Sequence, residues 1–268
     1  MIELIRITND PAVAQRCDAL GGFRLLVDLE RTGKAERQAG MNSFISEHTV
    51  DDIPVIKAVL RHSRLMVRVN PLHAASGDEL DAVLAHRPDC VMLPMFTSAS
   101  QMREFSSLMA GRVPIVALLE TAGALDSMED WLGTPGLQEV FVGLNDLHLS
   151  LGQRFMFEPL ADGRVERVAQ AVHRRGLRFG FGGIARMCDG LLPGREVLGE
   201  HVRLRSGAVI ISRKFVRGVS EAGFEEAVAD LRAEEARLHR RTPAEAHKDA
   251  ERLVARVREI VTDLAAAG

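Results

Sequence analysis

The chain has no tyrosine and one tryptophan, and aromatic residues fill 4% of its 268 positions. Stacking platforms for nucleobases or long sugars need rings, so those ligand classes are disfavoured. Cysteine is nearly as scarce. Cys17, Cys90 and Cys188 are odd in number, far apart and form no Cys-x-x-Cys pair. That excludes a disulfide framework and leads us to expect buried thiols in a reducing cytoplasm. The charge imbalance is only -3, so no bulk electrostatic term favours nucleic acid or an anionic membrane. No run approaches the ~20 apolar residues of a membrane span. The opening MIELIRITND lacks the apolar stretch of a signal peptide. Neither nucleic acid nor a membrane is an expected partner. Lysine is confined to Lys34, Lys57, Lys214 and Lys248. A Schiff-base mechanism needs a desolvated lysine on a strand, and only Lys214, just past the last strand-like run, is placed for it.

What is present is an ordinary globular composition, 46% hydrophobic and 26% charged. A chain of this length buries about 73% of its unfolded surface, enough for one large core. Eight short apolar runs recur: Leu4–Ile7, Phe23–Val27, Leu65–Val69, Cys90–Met95, Pro114–Leu119, Val140–Leu144, Leu177–Phe181 and Ala208–Ile211. They are too short for helices, and their Val and Ile content suits buried parallel strands. Amphipathic segments lie between them. Asp10-Pro11 opens one, with Gly21–Gly22 behind it. Thr49 is expected to cap a segment with Ile53, Ile56 and Leu60 on one face. Ser76-x-x-Glu79 and Ser98-x-x-Gln101 have the capping-box pattern. Val165, Val168, Ala169 and Val172 form a stripe ending at Gly176. The methionines Met92, Met95, Met102 and Met109 read as core filler.

Eight strand–helix alternations over ~250 residues predict an α/β fold of the (β/α)8 TIM-barrel type. The alternative, a doubly wound open sheet, lacks a Gly-x-Gly-x-x-Gly after the first strand. The barrel is expected over 1–219. A helix from about Ser220 to Arg240 follows. An additional C-terminal amphipathic helix then opens at Thr242-Pro243-Ala244-Glu245, with Leu253, Val257, Ile260, Val261 and Leu264 on one face. Residues 220–268 are expected to dock on the barrel, or on a neighbouring subunit, within the same domain.

In such barrels chemistry sits where strands end. Several apolar strands here end in charge: Asp28, Glu30 and Arg31 after the second, Arg68 in the third, Glu120 after the fifth and Asp146 after the sixth. Burying an unpaired ion costs several kcal/mol, so these charges must pair or hold a metal. Carboxylates with few His or Cys make a hard-oxygen site suited to Mg²⁺ or Mn²⁺.

The stretches VDLE (27–30), RVNPL (68–72), VMLPMF (91–96), LLETAGAL (118–125), VGLNDLHLSLG (142–152) and FGFGGIA (179–185) occur in this order on successive expected strands. In these motifs the chain resembles the HpcH/HpaI aldolase and citrate lyase β-subunit family of the phosphoenolpyruvate/pyruvate barrels. The resemblance implies that Glu120 and Asp146 bind the divalent metal and that Arg68 contacts the substrate carboxylate and enolate. It implies a metal-dependent carbon–carbon lyase, of the class II aldolase type, working through a pyruvate- or oxaloacetate-like enolate. A citrate lyase β-like or malyl-CoA lyase-like enzyme on an acyl-CoA ester is the alternative, and a non-catalytic metabolite-binding barrel is a further one. A homo-oligomer, trimer or hexamer, is implied as well.

One position departs from the pattern. Family members that cleave hydroxy-keto acids carry a His directly after Asp-x-Glu, for proton transfer. Here Arg31 stands there, and a guanidinium keeps its proton. Lys34 and Arg37 echo the basic residues of the acyl-CoA branch at a shorter spacing. The proton-transfer group is left open among Glu30, His73 and His148, with Glu30 also suited to supporting metal-bound water. Each site residue has a structural alternative. Glu120 and Asp146 suit helix N-termini. Arg68 suits an ion pair with Asp28 or Glu30. A lone histidine such as His148 suits a scaffold hydrogen bond. Gly180, Gly182 and Gly183 either admit a ligand's phosphate or carboxylate to the backbone or form a tight turn.

Overall fold

The structure is a computed structural model and describes residues 1–33 and 47–267. Lys34 and Arg37 lie outside the described residues. Eight strands follow one another in chain order around a closed parallel barrel, so the open-sheet alternative falls. Two compact units divide the chain, Leu4–Phe141 and a second made of Met1–Glu3 with Val142–Gly268.

The first unit takes in β1 (Glu3–Ile7), α1 (Pro11–Leu20), β2 (Phe23–Asp28), α2 (Asp52–Val59), β3 (Arg64–Arg68), α3 (Ser76–Ala85), β4 (Cys90–Leu93), α4 (Ala99–Met109), β5 (Ile115–Leu119), α5 (Ala122–Asp126), α6 (Met128–Trp131) and β6 (Leu137–Val142). Its core is the buried side chains of those strands with Ile53, Ile56, Leu80, Val83, Met102 and Phe105 from the helices. Asp10 caps α1 by accepting the Ala12 and Val13 amides, and its Pro11 neighbour fills the first helical position, where no donor is needed. Two expected caps differ. Ser76 is the first helical residue, and Glu79 accepts the amide and Nδ2 of Asn70 instead of closing a box on Ser76. Thr49 donates its amide to Asp52 and does not cap α2.

Strand ends also differ from the apolar runs, for local reasons. The fourth run stops at Leu93 because Pro94 follows and Met95 takes φ +55°. The sixth begins three residues early, at Leu137, and includes the buried Glu139. Glu139 is stable there because Arg24, fully buried on β2, donates to it at 2.8 Å.

The second unit carries α7 (Leu144–Ser150), α8 (Glu158–Ala161), α9 (Arg164–Arg174), β7 (Arg178–Ile184), α10 (Gly194–Arg203), β8 (Ala208–Ile211), α11 (Arg213–Val216), α12 (Glu221–Leu238) and α13 (Pro243–Ala267). The capping box of α13 closes from both sides. Thr242 donates its amide to Glu245, and Glu245 donates its own to Thr242 Oγ1. Leu253, Val257 and Ile260 are buried, and α13 packs on α8 and α10 of the same chain. Leu264, assigned to the same apolar face, is 38% exposed. Cys17 and Cys90 are buried, but Cys188 is exposed, contrary to expectation. No helix among the described residues is long and apolar enough to cross a membrane.

Candidate active site

Asp28 ends β2, and Arg68 ends β3 directly opposite it in the strand register. Neighbours in a parallel pair project to the same face, so the two side chains meet. Arg68 donates Nε to Asp28 Oδ1 at 2.8 Å and Nη2 to Oδ2 at 2.7 Å. This two-point fork is the strongest geometry available to a guanidinium and a carboxylate. Arg68 Nη1 lies 3.4 Å from Glu30 Oε2. The side chains of Asp28, Glu30 and Arg68 are 4%, 3% and 12% exposed. Burial pulls the Arg68 proton affinity down, but Asp28 first, then Glu30 and Glu120, lift it above the ordinary value. The ion pair with Asp28 or Glu30, weighed above as an alternative for Arg68, is present with both partners.

Glu120 follows β5 immediately and is 3% exposed. Its Oε1 accepts the Met95 amide at 3.0 Å, and Thr121 next to it caps α5. Three carboxylates therefore act on one guanidinium at the C-terminal ends of β2, β3 and β5. Asp146 stands in the first turn of α7, half-buried, in the second unit. Among the described residues no group of three or more His, Cys, Asp or Glu is arranged to hold a metal.

Arg31 is held by hydrogen bonds at its amide and at its guanidinium. Its amide donates to Asn70 Oδ1 and its Nη2 donates to the His48 carbonyl. His48 was missed in the sequence, where it lies in a stretch without periodicity. Its Nδ1 accepts the Asp28 amide at 3.0 Å, so the neutral ring carries its proton on Nε2. His73 and His148 each make hydrogen-bond contacts with nearby groups of the chain. His73 Nδ1 accepts the Ala75 amide and its Nε2 meets Glu79 at 3.1 Å. His148 is buried and its Nδ1 meets the Leu144 carbonyl of its own helix.

Gly180, Gly182 and Gly183 lie within β7, across a register shift against β8, and not in a turn after it. Gly182 has φ +50°, and a Cβ there would come within 2.8 Å of Leu144 Cδ1. Lys214 is exposed on the one-turn helix α11, which denies it the desolvation that a Schiff base needs. Met92, Met102 and Met109 are core, whereas Met95 lies outside the strand, its amide on Glu120.

Buried carboxylates thus share one arginine at the C-terminal ends of their strands, the end where barrel enzymes carry their chemistry. Residues 6–158 match the family model HpcH/HpaI aldolase/citrate lyase. The chain belongs to this family of aldolases and lyases. No curated protein matches. Among solved structures, an HpcH/HpaI aldolase/citrate lyase family protein from Burkholderia cenocepacia J2315 is similar over 88% of this chain and 94% of its own, with TM-score 0.63 and 15% identity. The citrate lyase β subunit of Mycobacterium tuberculosis is similar over 88% and 97%, with TM-score 0.58 and 18% identity. The same protein complexed with oxaloacetate and magnesium is similar over 84% and 96%, with TM-score 0.56 and 18% identity. At these identities the likeness is one of fold.

Proposed function

We propose that the protein is a divalent-metal-dependent carbon–carbon lyase acting through the enolate of a pyruvate- or oxaloacetate-like 2-keto acid. The observation that carries this reading is the gathering of Asp28, Glu30 and Glu120 about Arg68. Its donors are carboxylate oxygens, the chemistry Mg²⁺ or Mn²⁺ prefers. Glu120 is the ligand from β5, and Asp146 is the second ligand implied by the family pattern. When bound, the metal supplies Lewis-acid stabilisation of enolate charge. Arg68 holds fixed positive charge toward the substrate's carboxylate and developing oxyanion. Asp28 holds the guanidinium in a single orientation through its two-point fork, so little reorganisation is needed when charge develops. Glu30, beside Nη1, is the proton-handling carboxylate. In this reading Gly182 and Gly183 are the positions at which the backbone admits substrate oxygens.

Deuterium exchange of the pyruvate methyl protons in the presence of Mg²⁺ tests this reading. The wild type is expected to exchange them, and folded Glu120→Gln to lose at least tenfold of the rate. A folded, metal-saturated wild type that does not exchange would overturn it.

A further inference from the structure

The loop after β4 holds a non-glycine residue in the left-handed region. Met95 sits at φ +55°, a left-handed conformation that costs a residue with a Cβ. Outliers of this kind persist only where surrounding contacts over-determine them, and they collect at functional sites. The contacts here are specific. In this conformation the Met95 amide reaches Glu120 Oε1 at 3.0 Å. The next carbonyl, of Phe96, accepts Thr121 Oγ1–H at 2.7 Å in a buried bond. The same hydroxyl accepts the Ala124 amide at 3.1 Å, so its proton and a lone pair are both used. The Thr97 carbonyl then lies against Gly123, where a Cβ would stand 2.5 Å from its oxygen. No side chain fits there unless backbone moves. Beneath, the Phe96 ring meets Trp131 edge to face at 5.0 Å, and Trp131 Nε1–H donates to the Ala124 carbonyl at 2.8 Å.

Three successive residues after β4, Met95, Phe96 and Thr97, thus meet Glu120, Thr121 and Gly123 after β5. We infer that this clamp exists to aim the Glu120 carboxylate, with Met95, Thr121 and Gly123 as positioning residues for the metal site. The inference rests on the metal reading of Glu120 and extends it to residues that touch neither metal nor substrate. The side chain of Met95 is incidental in this device. Its amide and its positive φ are what matter, so glycine serves equally well there. A β-branched residue does not, because its Cβ crowding is worst in that conformation.

The test is Mn²⁺ titration of the purified full chain by electron paramagnetic resonance, with Trp131 fluorescence as the monitor of the clamp. The chain has one tryptophan and no tyrosine, so the emission reports on this locus alone. We expect Gly123→Ala and Met95→Val to shift the emission to the red and weaken Mn²⁺ binding at least tenfold. Thr121→Val should weaken it severalfold and Thr121→Ser restore it, while Met95→Gly stays within twofold of wild type. If Gly123→Ala does not fold, the threonine pair decides. A variant with a shifted Trp131 emission and wild-type Mn²⁺ affinity overturns the inference and makes the clamp purely structural. A wild type that binds no Mn²⁺ overturns the metal reading itself, and this inference with it.

Discussion

Acid should weaken this protein through one buried imidazole. His201, on α10, is completely buried and stacks on Phe181 with ring centroids 3.7 Å apart. Ser206 Oγ donates to the Ala208 carbonyl, so the hydroxyl oxygen accepts from His201 Nδ1–H at 2.9 Å. That assigns the proton to Nδ1 and leaves Nε2 without a hydrogen-bond partner among the described residues. Protonating Nε2 would bury a cation with no acceptor, and burial accordingly pulls the pKa down from 6.5 to about 3. The folded state therefore resists the proton that the unfolded chain accepts below about pH 6.5. Stability is fully present above that value and is lost as pH falls toward 3. Linkage gives a loss of about 2 kcal/mol at pH 5 and about 3 kcal/mol at pH 4. These are large fractions of a typical total of about 5–15 kcal/mol. Replacement by phenylalanine keeps the stack on Phe181 and removes the titration. Urea unfolding of wild type and His201→Phe at pH 7 and pH 5 isolates the effect, because carboxylates common to both cancel. The reasoning expects the variant to lose about 2 kcal/mol less than wild type between the two pH values. Equal losses in both would refute it.

Glu139→Ala leaves Arg24 buried beside an empty position and should cost about 3–5 kcal/mol, whereas Arg24→Met with Glu139→Leu should come close to wild type in a double-mutant denaturation cycle. Arg68→Lys cannot reproduce the fork on Asp28 and should lower the pyruvate exchange rate by about 10²–10³, as loss of an oxyanion donor does. Thr242→Ala opens the capping box of α13 and should cost about 1 kcal/mol, read as a fall of a few degrees in the thermal midpoint.

The sequence made the barrel legible because parallel strands buried on both faces appear as apolar runs regardless of their neighbours. Likewise, the α13 capping box is complete within four residues, and its bonds fall where the pattern puts them. What escaped depended on distant partners. Glu139 looks like a solvent-facing charge until Arg24, 115 residues earlier, is folded against it, and so the start of β6 was read late. Glu79 serves Asn70 and not Ser76, whose amide already donates to the His73 carbonyl. Of the site, the strand-end charges could be read, along with the Arg68–Asp28 pairing as one of two alternatives. The Met95 conformation could not, although Pro94 is a local sign that β4 ends early. His48 carried no signal at all, since its place beside Asp28 is set by the fold and by Arg31.

Crystals grown in manganese provide the most direct measurement. Anomalous difference density should appear on the carboxylate of Glu120 and should vanish in Glu120→Gln crystals. Well-ordered density for Glu120 with no anomalous peak beside it would contradict the account.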